Sequence, residues 1–150
     1  AVQFAAAVGA PDAYAGELPV AFAVLREGLH ATAVELMSHT AERVDEPPAR
    51  PKRVFVIEAL PMTNVGKIYK PALRAMAAQA VAEQIVEDIC TDHGVPHTGR
   101  PEVQCTEAEG LVVRVPAQVS DAAAEALRAA LAELPIKGQK LVRTKVASVG

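Results

Sequence analysis

Residues 54–71 read VFVIEALPMTNVGKIYKP, and this stretch changes its structural character twice. Val54–Ile57 are β-branched or aromatic, which is typical of a strand. The residues that follow include a Pro and a Gly, which predict a turn, and Pro71 suits the first turn of a helix. The segment therefore predicts a strand, a turn and a helix in that order, and Lys67 lies in the turn.

Upstream of this segment the sequence predicts two more strands and a helix. Apolar runs at residues 2–8 and 18–25 flank a turn-rich stretch. Thr32 is a suitable N-cap for a helix that ends before Pro47. Its apolar positions recur every three or four residues and should cover one face of the sheet: Val34, Leu36, Met37, Ala41 and Val44.

Downstream, the pattern predicts a second small unit. An apolar helical stripe runs from Leu73 to Ile89 and stops near Gly94. Two strands are then expected at residues 102–106 and 111–115, followed by a helix capped by Ser120 and a last strand at residues 141–146.

The fold class that follows is α+β. A sheet of about three strands flanked by helices is expected in residues 1–78. An α+β extension with the order helix, strand, strand, helix, strand is expected in residues 79–150. No internal sequence repeat is visible.

Charge is unevenly distributed along the chain. The whole sequence of 150 residues has a net charge of −3, but residues 50–74 contain six basic residues and a single acidic one, Glu58. A basic segment in an acidic background favours an anionic ligand at that segment and argues against general nucleic-acid binding.

The cysteine content and the first residues of the sequence bear on the cellular location of the protein. Cys90 and Cys105 are too few for a disulfide framework, which predicts a reducing, cytoplasmic location. The apolar opening run is interrupted by polar residues, Pro and Gly, so neither a signal peptide nor a membrane span is expected. Because it begins directly with strand-like sequence, the chain is expected to be part of a longer protein.

The turn that contains Lys67 is suited to placing a positive charge against an anionic group. Gly66 permits a left-handed backbone, so Lys67 would be presented from a turn and not from a helix face. Its ammonium group is a suitable point charge for a phosphate or a carboxylate that gains negative charge. The segment is not a phosphate-binding P-loop, because Pro61 stands where the first Gly is required and Ile68 replaces Ser or Thr.

Three stretches together resemble a known family. Residues 49–70 read ARPKRVFVIEALPMTNVGKIYK, residues 8–12 read VGAPD and residues 16–22 read GELPVAF. Their order and form resemble the C-terminal subdomain of the superfamily that contains acyl-CoA synthetases, peptide-synthetase adenylation domains and luciferases. The resemblance extends over about residues 1–78.

The resemblance implies a reaction in two halves. A carboxylic acid, expected to be a fatty acid, reacts with ATP to give an acyl-adenylate, and the thiol of CoA then displaces AMP. Lys67 aligns with the lysine that serves the first half, and Pro61, Thr63 and Gly66 are its supporting motif. Arg50 and Lys52 align with positions that hold the phosphates of CoA in some relatives; a merely solvated basic loop remains the alternative.

By the same resemblance, other parts of the enzyme lie outside this chain. A hinge and a large N-terminal domain, where Mg²⁺ accompanies ATP, should precede residue 1 and act as the partner of this chain, which should be inactive alone. Residues 79–150 are expected to pack on the subdomain, form homo-oligomer contacts or dock a partner. The open alternatives are a carrier-protein-loading adenylation enzyme and a stand-alone interaction module.

Cys90, His93, His97 and Cys105 have side chains that zinc accepts. Cys105 lies in a predicted strand and His93 and His97 flank a predicted helix end, so these residues are not expected to converge. The sequence predicts no metal site in this chain.

Overall fold

The computed structural model describes residues 1–144, which form two compact units. The first unit comprises Ala1–Ala77, and the second begins at Ala78. No helix within the described part of the chain has both the length and the apolar character that a membrane span requires.

The first unit contains a three-stranded sheet. Strands β1 (Val2–Asp12) and β2 (Gly16–Leu25) form an antiparallel hairpin, and β3 (Arg53–Val56) pairs parallel with β2, so the order is β1-β2-β3. Both hairpin strands are longer than predicted. Pro11 does not end β1, because β1 is an edge strand on which a missing N–H costs little.

Buried and more exposed side chains alternate along the hairpin, and the buried ones form the core of this unit. Ala6, Val8 and Ala10 are buried at every second position of β1. Phe22 of β2 is also buried and stacks on Phe55 of β3, with ring centroids 4.9 Å apart. The buried side chains of β1 are therefore small, and β2 and β3 contribute one stacked aromatic pair, which agrees with the low aromatic content of the sequence.

Helix α1 (Ala33–Arg43) connects β2 to β3 and begins as predicted at Thr32. The Glu35 N–H donates to the Thr32 hydroxyl, and the Thr32 N–H and hydroxyl both donate to the Glu35 carboxylate, which holds the pKa of that carboxyl below its ordinary value. The prediction that α1 covers a sheet face is only partly right. The helix contacts β3 but buries no residue completely, because its partner strand has only four residues, and Val34 is exposed.

The second unit follows the predicted element order. Helix α2 (Lys70–Asp92) leads into the antiparallel strands β4 (Glu102–Thr106) and β5 (Gly110–Val115), and α3 (Asp121–Ala132) leads into β6 (Lys140–Arg143). Strand β6 pairs parallel with β5. The expected last strand is confirmed as far as residue 143, and its predicted end at residues 145 and 146 lies outside the described residues.

The two sheets share a topology that the sequence did not reveal. Each consists of an antiparallel hairpin followed by a helix and a third strand parallel to the second strand of the hairpin. In both sheets the hairpin's second strand is central. The two sheets share this topology without a visible sequence repeat.

The core of the second unit joins α2, α3 and β5. Leu111, Val113 and Val115 alternate along β5 and pack in one cluster with Leu127 of α3 and Cys90 of α2. All five side chains are buried. The α+β class and its predicted order of elements are therefore confirmed in both units.

Arg100 fixes the loop that follows α2. Its guanidinium pairs with Glu87, lowering the pKa of that carboxyl mainly through the hydrogen bond, and its Nε donates to the Val95 carbonyl at 3.3 Å. The Thr91 hydroxyl accepts from the same guanidinium at 3.4 Å. The sequence pattern gave no indication of these contacts of Arg100.

Two valines on neighbouring strands test the position of this core. Val113 is 1% exposed and Val142 is 46% exposed. Val113→Ala removes two buried methyl groups and should reduce the free energy of unfolding by about 2 kcal/mol. Val142→Ala, the matched control, should cost less than about 1 kcal/mol. Urea unfolding followed by circular dichroism measures both, and equal losses would contradict the assigned core.

Candidate active-site loop

Lys67 lies in a closed loop, Pro61–Tyr69, which we call the lysine loop. Its two ends are joined by the Tyr69 N–H, which donates to the Pro61 carbonyl at 2.8 Å, and by an antiparallel bridge between Met62 and Ile68. The loop follows β3 after a short connection in which the Ile57 N–H donates to Ala23 of β2 at 2.9 Å. The sheet therefore anchors the entry to the loop.

Inside the loop, Thr63 contacts Lys67 through both backbone and side chain. The Thr63 N–H donates to the Lys67 carbonyl at 2.7 Å, and the Lys67 N–H donates to the Thr63 hydroxyl at 3.1 Å. The Gly66 N–H donates to the Thr63 carbonyl at 3.0 Å, and Gly66 has a φ of +78°. The predictions of a left-handed glycine and of a lysine presented from a turn are confirmed.

The Lys67 side chain is exposed, and within residues 1–144 no carboxylate forms an ion pair with it. Large apolar side chains lie beside it in the loop: Val65 is 80% exposed and Met62 is 53% exposed, with Ile68 and Tyr69 also accessible. Clustered exposed apolar groups are typical of a contact surface. The lysine loop thus presents one cation among exposed apolar side chains.

A mainly apolar cavity of about 290 Å³ lies at the base of the lysine loop, within the first unit. Met62 and Ile68 line it from the loop, and Phe4 of β1 and Val24 of β2 line it from the sheet. Gln3 and residues 58–60 complete the lining. The sequence pattern did not predict this cavity, because it depends on how the loop folds back towards the hairpin.

The two candidate CoA-phosphate residues have different surroundings. Arg50 follows a short 3₁₀ helix, Pro47–Ala49, and its Nε donates to the carbonyl of Val44 at 2.8 Å, so Arg50 also caps the end of α1. The side chain of Lys52 is exposed, while its backbone N–H donates to the Pro19 carbonyl at 2.7 Å. Lys52 is therefore the more accessible charge.

Three further basic residues of the segment 50–74 lie on β3 and α2: Arg53, Lys70 and Arg74. The Arg53 guanidinium lies 4.5 Å from the centroid of the Phe55 ring, a cation–π contact that extends the stacked aromatic pair. Lys70 and Arg74 are exposed in the first turns of α2. The Arg53 side chain is thus exposed while its guanidinium contacts the Phe55 ring.

The cysteines and histidines of the second unit form no metal site within residues 1–144. Cys90 is buried in the core, and Cys105 is half-buried in β4, where its backbone N–H donates to the side-chain oxygen of Gln79 at 3.0 Å. Burial raises the pKa of both thiols. Raised pKa values disfavour the thiolate that binds zinc.

The first part of the chain is similar in sequence to a known family. Residues 1–67 match the sequence model of the family described as the AMP-binding enzyme C-terminal domain. Residues 1–67 belong to this family. The match includes β1, β2, α1, β3 and the lysine loop as far as Lys67. The rest of the chain lies beyond the matched residues.

Curated relatives of this AMP-binding enzyme C-terminal domain are ligases. The chain is 48% identical over 73 residues to marinolic acid–CoA ligase of Pseudoalteromonas sp. (strain SANK 73390), a match that covers 49% of this chain and 11% of that protein. It is 42% identical over 83 residues to acetyl-coenzyme A synthetase of Pyrobaculum arsenaticum, covering 53% and 12%. The chain spans about a tenth of the length of these relatives.

Solved structures also match this AMP-binding enzyme C-terminal domain. Apo MatB from Rhodopseudomonas palustris is 27% identical, with a TM-score of 0.47, over 50% of this chain and 15% of MatB. A Mycobacterium tuberculosis fatty acyl CoA synthetase is 28% identical, with a TM-score of 0.47, over 53% and 15%.

The hydrogen bonds of Thr63 with Lys67 are a feature of the loop that the motif alone did not predict. A hydroxyl residue at the start of a turn often accepts a hydrogen bond from a backbone N–H a few residues later. That signal was present in the spacing of Thr63 and Lys67.

Gly66→Ala tests the left-handed turn. No atom lies within 4 Å of a Cβ added at Gly66, so the cost is backbone strain of about 1 kcal/mol, which should speed hydrogen exchange at the Lys67 N–H by about fivefold. Gly28, with a φ of +76° and equally open space, is the matched control. NMR-detected exchange on the 150-residue chain measures both. Equal acceleration at Lys67 in Gly28→Ala would contradict a local role for Gly66.

Proposed function

We propose that this chain is the C-terminal part of an AMP-forming acid–CoA ligase and that Lys67 is its adenylation lysine. The observation that carries the proposal is the lysine loop itself. Its backbone is closed by hydrogen bonds, yet it presents an exposed cation among exposed apolar side chains. Such a loop is suited to enter an active site whose other walls belong to another part of the enzyme.

The proposed chemistry needs a cation at this point. A carboxylate attacks the α-phosphorus of ATP, a C–O–P bond forms and pyrophosphate leaves, so two anions must approach each other. An ammonium placed between the carboxylate and phosphate oxygens stabilises the negative charge that concentrates there. The apolar side chains around Lys67 would exclude water on docking and strengthen that electrostatic interaction.

Mg²⁺ is expected to accompany ATP in this reaction. Within residues 1–144 no three His, Cys, Asp or Glu side chains come together, so no residue of the described part is assigned to that ion. The contribution of this chain is then a movable charge, and we propose that the chain is inactive by itself. Its partner is the larger portion of the enzyme that binds ATP and the acid.

CoA is favoured over a carrier protein as the acceptor. The named relatives above include CoA ligases, and Lys52 offers an exposed charge to the phosphates of CoA. Within residues 1–144 the Arg50 side chain hydrogen-bonds through its Nε, so its terminal nitrogens can assist from the end of α1. A carrier-protein-loading adenylation enzyme is the second candidate, and the choice of thiol acceptor distinguishes the two.

Lys67→Ala in the complete enzyme should abolish acyl-adenylate formation, because no other charge in the lysine loop can replace the ammonium. Thioester formation from preformed acyl-adenylate should be largely spared. Pyrophosphate release and CoA-thioester formation measure the two half reactions separately. Lys137→Ala, which removes an exposed lysine of the second unit, is the control. Equal loss in both half reactions of Lys67→Ala would contradict the assigned role.

The double change Arg50→Ala and Lys52→Ala should raise the KM for CoA by about tenfold and leave the KM for ATP unchanged, because charge-assisted contacts to phosphate would be lost. Pantetheine has the thiol of CoA without its nucleotide phosphates, so the KM for pantetheine should not change. Steady-state kinetics with both thiols measures this difference. An unchanged KM for CoA would contradict a role of Arg50 and Lys52 in CoA binding and would favour the alternative of a merely solvated basic loop.

A further inference from the structure

We infer that Thr63 is the positioning residue that holds Lys67 in its productive orientation, an inference that rests on the proposed function of Lys67. All three polar groups of Thr63 are engaged inside the loop. Its N–H donates to the Lys67 carbonyl, its carbonyl accepts from Gly66, and its hydroxyl accepts from the Lys67 N–H. One residue therefore fixes the Lys67 peptide groups on both sides of the Cα atom.

The loop needs such a constraint because its other features favour motion. Asn64, Val65 and Gly66 are exposed, and Gly66 has no neighbouring atom within 4 Å of a Cβ position to restrain it. The lysine side chain adds four rotatable bonds of its own. Fixing the Cα atom of Lys67 reduces the entropy that is lost when the ammonium is placed against substrate.

The contribution of the hydroxyl can be separated from that of the backbone. The bonds made by the Thr63 N–H and carbonyl survive any substitution except Pro, whereas the bond from the Lys67 N–H depends on the side-chain oxygen. Thr63→Val keeps the shape and removes the acceptor. Thr63→Ser keeps the acceptor and removes the methyl group.

The second unit offers a matched control at Thr106. Its hydroxyl accepts from the Glu109 N–H at 3.1 Å in the β4–β5 turn, the same length as the Lys67 bond to Thr63. Thr106 is also half-buried. Thr106→Val therefore removes an equivalent turn hydrogen bond at a place where no role in the reaction is proposed.

In the complete enzyme, Thr63→Val should slow acyl-adenylate formation by about tenfold, the rate equivalent of one lost hydrogen bond. Thioester formation from preformed acyl-adenylate should be unchanged. Thr63→Ser should restore adenylation to within about threefold of the parent rate, and Thr106→Val should leave both half reactions unchanged.

In the 150-residue chain, hydrogen exchange at the Lys67 N–H should be about tenfold faster in Thr63→Val than in the parent chain. In Thr63→Ser the exchange rate should return to that of the parent chain.

The inference is overturned if Thr63→Val adenylates as fast as Thr106→Val while Lys67→Ala loses adenylation. Equal slowing of both half reactions in Thr63→Val would also overturn it, because a general loss of stability has no reason to select one half. Retained adenylation in Lys67→Ala would instead overturn the proposed function. In that case the exchange rate of the Lys67 N–H still shows whether the hydroxyl restrains the loop.

Discussion

The hydrogen bonds between Thr63 and Lys67 are the constraint on which the candidate site depends. They lie within a loop in which most side chains are exposed and none is fully buried, so local polar contacts order the backbone more than a buried core does. An exposed loop held in this way keeps its shape before it meets a partner. The cost of ordering Lys67 is then met during folding of the domain, and less of it remains at the moment of binding.

The first unit supplies the support for that loop. A parallel edge strand, β3, delivers the chain to the loop, and α2 begins immediately after it at Lys70. The stacked pair Phe22 and Phe55, with Arg53 over the second ring, secures β3 against the central strand. The site is thus attached to regular structure at both ends, which limits its movement relative to the sheet.

Local signals explain how much of this could be predicted from sequence. The caps at Thr32 and Ser120, the left-handed Gly66 and the apolar stripe of α2 all depend on residues within one or two turns, and each was predicted. Long-range contacts were not accessible in this way. The cavity below the loop and the shared topology of the two sheets arise only when distant segments meet.

Differential labelling of lysine amines in the complete enzyme tests the central claim most directly, because it reports whether the Lys67 ammonium enters the active site. With ATP and a carboxylic acid substrate bound, Lys67 should react several-fold more slowly with an amine-selective reagent than in the free enzyme, since an ammonium enclosed between substrate oxygens is shielded from the reagent. Exposed Lys137 should label at the same rate in both states. Equal labelling of Lys67 with and without substrates would contradict the account.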